Sequence, residues 1–119
     1  MRTIIAGSRS CTDEQELTTA LADCGWQVSE VVSGAASGAD ALGEAWARQS
    51  GIPCKQFPAD WSKFGKSAGP RRNVEMANYA DALIALWDGS SKGTKHMIDT
   101  AQRERLRMHV HIIGVKNGE

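Results

Sequence analysis

Bulk charge is missing from this chain: 14 lysines and arginines balance 14 aspartates and glutamates over 119 residues. A protein that holds duplex nucleic acid mainly by its field is basic, so that class is set aside, while a local basic pocket stays open. No apolar run is long enough to cross a bilayer. The opening Met1-Arg2-Thr3-Ile4-Ile5-Ala6 is too short for a signal peptide and reads as a strand, so a cytoplasmic location and no membrane partner are expected. Cysteine is scarce. Cys11, Cys24 and Cys54 are odd in number and lack metal or redox spacing, which argues against a disulfide framework and fits a reducing compartment. His109 and His111 would share a strand face, but no cysteine or acidic residue stands near them in sequence. They read as polar edge-strand residues, and neither a metal nor a cofactor is expected. Ser-His-Asp order and HExxH are absent, and Lys92 between Ser91 and Gly93 lacks the ending of a Walker A loop, so an ATPase is not expected.

What is present is alternation. Apolar runs suited to strands occur at Arg2 to Ala6, Val28 to Ser33, Cys54 to Phe57, Ala82 to Trp87 and Val110 to Val115, with Lys116 to Glu119 as a polar tail. Between them lie helical patterns. Thr12-Asp13-Glu14-Gln15 matches a capping box ahead of Leu17, Ala20, Leu21 and Cys24, with Gly25 as the stop. Ala39 to Gln49 carries Leu42, Ala45 and Trp46 on one face and a Glu44–Arg48 pair on the other. Pro70 suits the first position of a helix that buries Val74, Met76, Ala77 and Ala80. The last helix sets Met97, Ile98 and Ala101 against an Asp99–Arg103 pair. Pro58 to Gly69 shows no clear periodicity and reads as a long connection, the kind that often binds ligands. Strands alternating with helices imply right-handed crossovers and one three-layer α/β domain over residues 1–119, with a parallel sheet in the order 3-2-1-4-5.

In such a sheet the ligand crevice lies outside the carboxyl ends of strands 1 and 4, where the winding reverses. Every unusual stretch of this sequence follows a strand's carboxyl end. Gly7, Ser8 and Arg9 emerge from the first. Ser33 and the loop Gly34 to Asp40, reading GAASGAD, follow the second, with Gly34 and Gly38 free to take positive φ beside the amides of a helix start. Asp60 and Trp61, with Lys63 and Lys66, mark the long connection; Trp61 either stacks on a planar ligand or pins the loop to the domain. Arg71, Arg72 and Asn73 fall in the first turn of the next helix, where cations oppose the dipole and a bound phosphate would offset them. For Arg71 an exposed side chain with a solvent counterion is the better reading. Asp88, Gly89, Ser90, Ser91, Lys92, Gly93 and Thr94 form a second glycine loop after the strongest strand. Hydroxyls of Ser33, Ser37, Ser90, Ser91 and Thr94 can donate, and Asp40 or Asp88 can accept from sugar hydroxyls.

Taken in order, the segments Gly7-Ser8-Arg9, Ser33 to Asp40, Phe57 to Trp61, Ala68 to Asn73 and Trp87 to Thr94 resemble the SLOG superfamily. This Rossmann-like group includes the DNA-processing protein DprA and the LOG nucleotide phosphoribohydrolases. The resemblance is greatest to its YspA/YpsA-related branch, often labelled DUF2493. It implies binding of a nucleotide or nucleotide-derived small molecule, with phosphate on the second glycine loop, and a homodimer. The helix faces carrying Trp46 or Met97 could supply that contact, though such faces more often belong to the core. LOG enzymes are similar at RKxxM, matched by Arg72 to Met76, and roughly at PGGxGTxxE, matched by Gly89 to Met97. Arg72 then stands where the family has its catalytic arginine, but the closing glutamate falls on Met97, which cannot act as acid or base. Asp88, Glu75 or Asp40 would have to take its place for a phosphoribohydrolase. Single-stranded DNA binding, as in DprA, is the third reading, weighed down by neutral charge and few stacking aromatics.

Overall fold

The fold is seen in a computed structural model that describes residues 1–114. Five parallel strands form one sheet in the order β3-β2-β1-β4-β5. The strands are β1 Arg2–Gly7, β2 Glu30–Ser33, β3 Cys54–Gln56, β4 Ala82–Trp87 and β5 Arg107–Ile112. Ala82 to Leu86 of β4 are all buried, the pattern of a strand covered on both faces. β1 pairs with β2 through Ile4 opposite Val32, and with β4 through Ile5 opposite Ile84. Side chains alternate across the sheet, so neighbours in β1 serve two cores: Ile5 packs under α1 (Glu14–Asp23) and α2 (Ala39–Ser50). Ile4 and Ala6 pack beneath α4 (Ala68–Tyr79) and α5 (Lys92–Arg103). β2 is followed by α2 on one face and β4 by α5 on the other, which places the winding reversal between β1 and β4.

Several local expectations change. α1 is capped by Asp13, whose side chain accepts from the Gln15 amide at 2.9 Å, rather than by Thr12. A carboxylate is the stronger acceptor for these amides, and it sits one residue nearer the helix. The long connection is not structureless: Asp60 caps a short helix α3 (Trp61–Phe64), and a 3-10 turn (Gly65–Ser67) runs straight into α4. α4 therefore begins at Ala68 and Pro70 is its third residue, still among the amides that need no helical partner. β5 starts at Arg107 instead of Val110 and ends at Ile112, because its register follows the whole length of β4, Arg107 opposite Ala82 to Ile112 opposite Trp87. The expected extension to Val115 and the tail Lys116 to Glu119 lie outside the described residues.

Neither expected helix ion pair is made among the described residues. Glu44 turns to the sheet and accepts from Ser33 Oγ at 2.6 Å and Gln56 Nε2 at 3.0 Å, while Asp99 pairs with Lys95 at 2.9 Å. The two side chains weighed as contacts between copies face inward: Met97 is buried and Trp46 packs on the cluster around Ile5. His111 Nε2 lies 2.9 Å from Glu16 on α1, and no group of metal-binding side chains occurs among the described residues. Nor, among these residues, is any helix long and apolar enough to cross a membrane.

Candidate functional site

Two adjoining clefts open at the carboxyl edge of the sheet. The larger, about 630 Å³, lies between the β1–α1 turn, α4 and the start of α5; the smaller, about 300 Å³, lies against the GAAS backbone, Pro58 and Ala59. Arg9, Ala36, Trp61 and Arg72 line both and so form the wall they share.

Ser8 ties the end of β1 to the end of β4 and to the start of α2. It is buried, its amide donates to Leu86 O at 3.0 Å, and its hydroxyl accepts from the Asp88 amide at 3.2 Å. Its carbonyl takes the amides of Cys11 and Ala39, which fastens the start of α2 to the β1 turn. Arg72 does the same across the cleft. One guanidinium N–H donates to Gly34 O and Nε donates to Asn73 Oδ1 at 3.1 Å, so the fork is braced at both sides with further N–H groups unspent. Arg72 is the fifth residue of α4, one turn inside the helix rather than in its first turn, because the helix starts earlier than expected. Burial pushes its pKa down and Arg9 pushes the same way, against Asp40. Two arginines, Arg9 and Arg72, thus stand with one buried carboxylate, Asp40, at the shared wall, an arrangement that suits an anion. Arg71 is exposed, with its guanidinium over the Phe64 ring at 4.5 Å.

Asp40 is 6% exposed at the start of α2, and Oδ2 accepts from the Ala36 amide at 3.2 Å. A carboxylate of the protein thus takes an amide of the glycine loop that was expected to face a phosphate. Burial drives its pKa above the ordinary 3.8; the Ala36 amide, Arg72 and Arg9 offset part of that, and Glu44 adds to it. The folded state then holds this proton more tightly than the unfolded chain, so Asp40 costs stability as pH rises from about 3.8 through the higher folded value. Asp40→Asn keeps an oxygen for the Ala36 amide and is expected to match the parent in acid and exceed it at neutral pH. Urea unfolding at both pH values checks this; a variant weaker than the parent at neutral pH overturns it.

The second glycine loop is pre-shaped. Asp88 Oδ1 accepts from the Ser90 and Ser91 amides at 2.9 and 2.7 Å, which hold its pKa down. Ser91, Lys92, Gly93 and Thr94 then face the larger cleft at the start of α5, with Ser91 Oγ and Thr94 Oγ1 3.2 Å apart. Gly7, Ser8, Arg9, Asp40, Trp61, Arg72, Asn73 and Asp88 also line that cleft, and Gly34 and Ser37 line the smaller one.

Five predicted site residues line neither. Ser33 is fully buried and donates inward to Glu44; Gly38 is pressed against the backbone of Ser8 and Arg9. Asp60 is spent on capping α3, and Gly89 and Ser90 sit on the outer side of their loop. Among the lining residues not foreseen is His96. It and Met97 lie three and four positions after Gly93 and so share its helix face, a spacing that could have found it. Trp61 is half exposed, and its ring meets the position where a Gly69 Cβ would stand, 3.2 Å away; it both pins the loop and leaves ring surface in the clefts.

Comparisons with known proteins bear on the fold and the family. The X-ray structure of DNA processing protein A from Streptococcus pneumoniae superposes with a TM-score of 0.74 over 92% of this chain, at 17% identity. The likeness is one of fold, and the chain spans 49% of that protein's length. The Gene 61 protein of Mycobacterium phage D29 is 39% identical, over 86% of this chain and 89% of the phage protein. A family model, YAcAr, described as the YspA, cpYpsA-related SLOG family, matches residues 1–64, which hold the GSRS, GAASGAD and FPADW segments. The chain belongs to the YspA, cpYpsA-related SLOG family.

Proposed function

We propose that this protein binds a nucleotide or nucleotide-derived small molecule, with the phosphate against Arg72 and Arg9 on the shared wall and the nucleoside in the larger cleft. The observation that carries the reading is Arg72: a partly buried guanidinium, braced to Gly34 O and Asn73 Oδ1, that stands with Arg9 and one buried carboxylate, Asp40, at the junction of two clefts. A cleft of about 630 Å³ is within the range that holds small ligands. Serine and threonine hydroxyls and the ionised Asp88 supply the polar contacts that orient a sugar. A thermal-shift screen against mononucleotides, dinucleotides and ADP-ribose derivatives tests the reading. Cognate ligand at about a hundred times its Kd stabilises the fold by about 2.7 kcal/mol. A screen in which no nucleotide raises the midpoint removes the proposal.

One observation favours a second reading, cleavage of an N-glycosidic bond. Met97 stands in the larger cleft where LOG enzymes have glutamate, but Asp40 lines the same cleft, and burial raises its pKa toward that of a proton donor. Free base released from AMP, and lost in Asp40→Asn, would establish it.

A further inference from the structure

Asn73 is 7% exposed and stands between α4 and α5 with both ends of its amide engaged. Arg72 Nε can only donate, and it meets Asn73 Oδ1 at 3.1 Å. The Gly93 carbonyl can only accept, and it meets Asn73 Nδ2 at 3.5 Å. These two partners fix which end of the amide is oxygen. The same Nδ2 lies 3.1 Å from His96 Nδ1. An amide nitrogen is a donor only, so this contact is a hydrogen bond only when Nδ1 is the acceptor. This contact therefore selects the tautomer that carries its proton on Nε2.

His96 lines the larger cleft together with Met76 and Met97, both uncharged and 1% exposed, and with Lys92 one turn earlier on α5. Arg72 and Arg9 lie on the wall shared with the smaller cleft. A forked cation suits phosphate; a single neutral N–H beside thioethers suits one acceptor on a planar, weakly polar group. We propose that His96 determines base specificity: held in its Nε2–H form through Asn73 by Arg72, it donates one hydrogen bond to a ring nitrogen or carbonyl of the ligand's heterocycle. This rests on the nucleotide reading above. A lone donor that a bound ligand closes off from water discriminates well, because a ligand with no acceptor at that place leaves it unsatisfied. The chain of hydrogen bonds from Arg72 to His96 also links the anion end of the site to the base end.

The tautomer is tested without any ligand. ¹⁵N NMR of the His96 ring at mildly alkaline pH is expected to show protonated Nε2 and bare Nδ1. Asn73→Asp, which offers only acceptors, is expected to move the proton to Nδ1. Bare Nε2 in the parent protein overturns the proposal. Binding is then measured by calorimetry with AMP, GMP, CMP, UMP and ribose 5-phosphate. His96→Phe is expected to weaken the best-bound nucleotide by about tenfold or more while ribose 5-phosphate stays within about twofold, and His96→Gln, which retains a donor, is expected to recover part of the loss. Equal weakening of nucleotide and ribose 5-phosphate assigns His96 to the sugar-phosphate and overturns the base contact. If the parent binds none of the four nucleotides and no ligand of the thermal-shift screen, the nucleotide reading fails and the base contact with it, while the NMR result still decides the tautomer.

Discussion

Arg72→Leu is expected to weaken binding of the cognate nucleotide by about a hundredfold, near 3 kcal/mol, the cost of losing a pair of charge-assisted hydrogen bonds to phosphate. The size follows from how the side chain is held. Its Nε is committed to Asn73 and one N–H to Gly34 O, so the guanidinium keeps its place without a ligand and an anion meets it pre-organised. Arg72→Lys is expected to recover only part of the affinity. An ammonium is a point charge that cannot reach Gly34 O, Asn73 Oδ1 and a phosphate together. Arg72→Leu also leaves Asn73 Oδ1 without its donor, and a fall in stability of about 1–2 kcal/mol should accompany the loss. Calorimetric titration beside urea unfolding separates the two effects, and affinity within about threefold of the parent in Arg72→Leu would sink the anion site.

The strand order could be read from sequence because the strongest signals fall on the central strands: the unbroken apolar run of β4 and the short run of β1. β5 was misplaced because it is an edge strand. Its burial alternates weakly and it opens on Arg107, so no apolar run marks where it begins; only pairing with β4 does. The candidate site was legible as a set of loops at strand ends, since that property belongs to the topology. Which atom faces the cleft was not. Ser33 turns inward because Glu44, eleven residues on, offers it a carboxylate. Trp61 lies over Gly69 because the connection folds into α3. Asn73 meets His96 23 positions further along the chain, a contact that no local pattern encodes.

Gly38 shows why a correctly located glycine can be assigned the wrong task. In sequence it resembles a residue that lets backbone amides approach a phosphate. In the fold its φ of 76° and ψ of −126° bring the chain against the carbonyls of Ser8 and Arg9, and the next amide, Ala39 N, donates to Ser8 O at 3.3 Å. A Cβ at this position would overlap the Arg9 carbonyl, which is backbone and cannot turn aside. Gly38→Ala is therefore expected to cost about 3 kcal/mol or more, by adding left-handed strain to steric overlap. Gly51→Ala is the control. Gly51 also has positive φ, 69°, but an added Cβ there meets nothing within 4 Å, so only the strain of about 1–2 kcal/mol applies. The difference between the two variants, read from urea unfolding, isolates the contact between the β1 turn and the start of α2. Because that contact seats Ser8 and Arg9 in the cleft, Gly38→Ala should also lose nucleotide affinity while Gly51→Ala keeps it. Equal costs in the two variants would mean that the two loops are not locked together, and that the cleft is not held open by the packing of its own backbone.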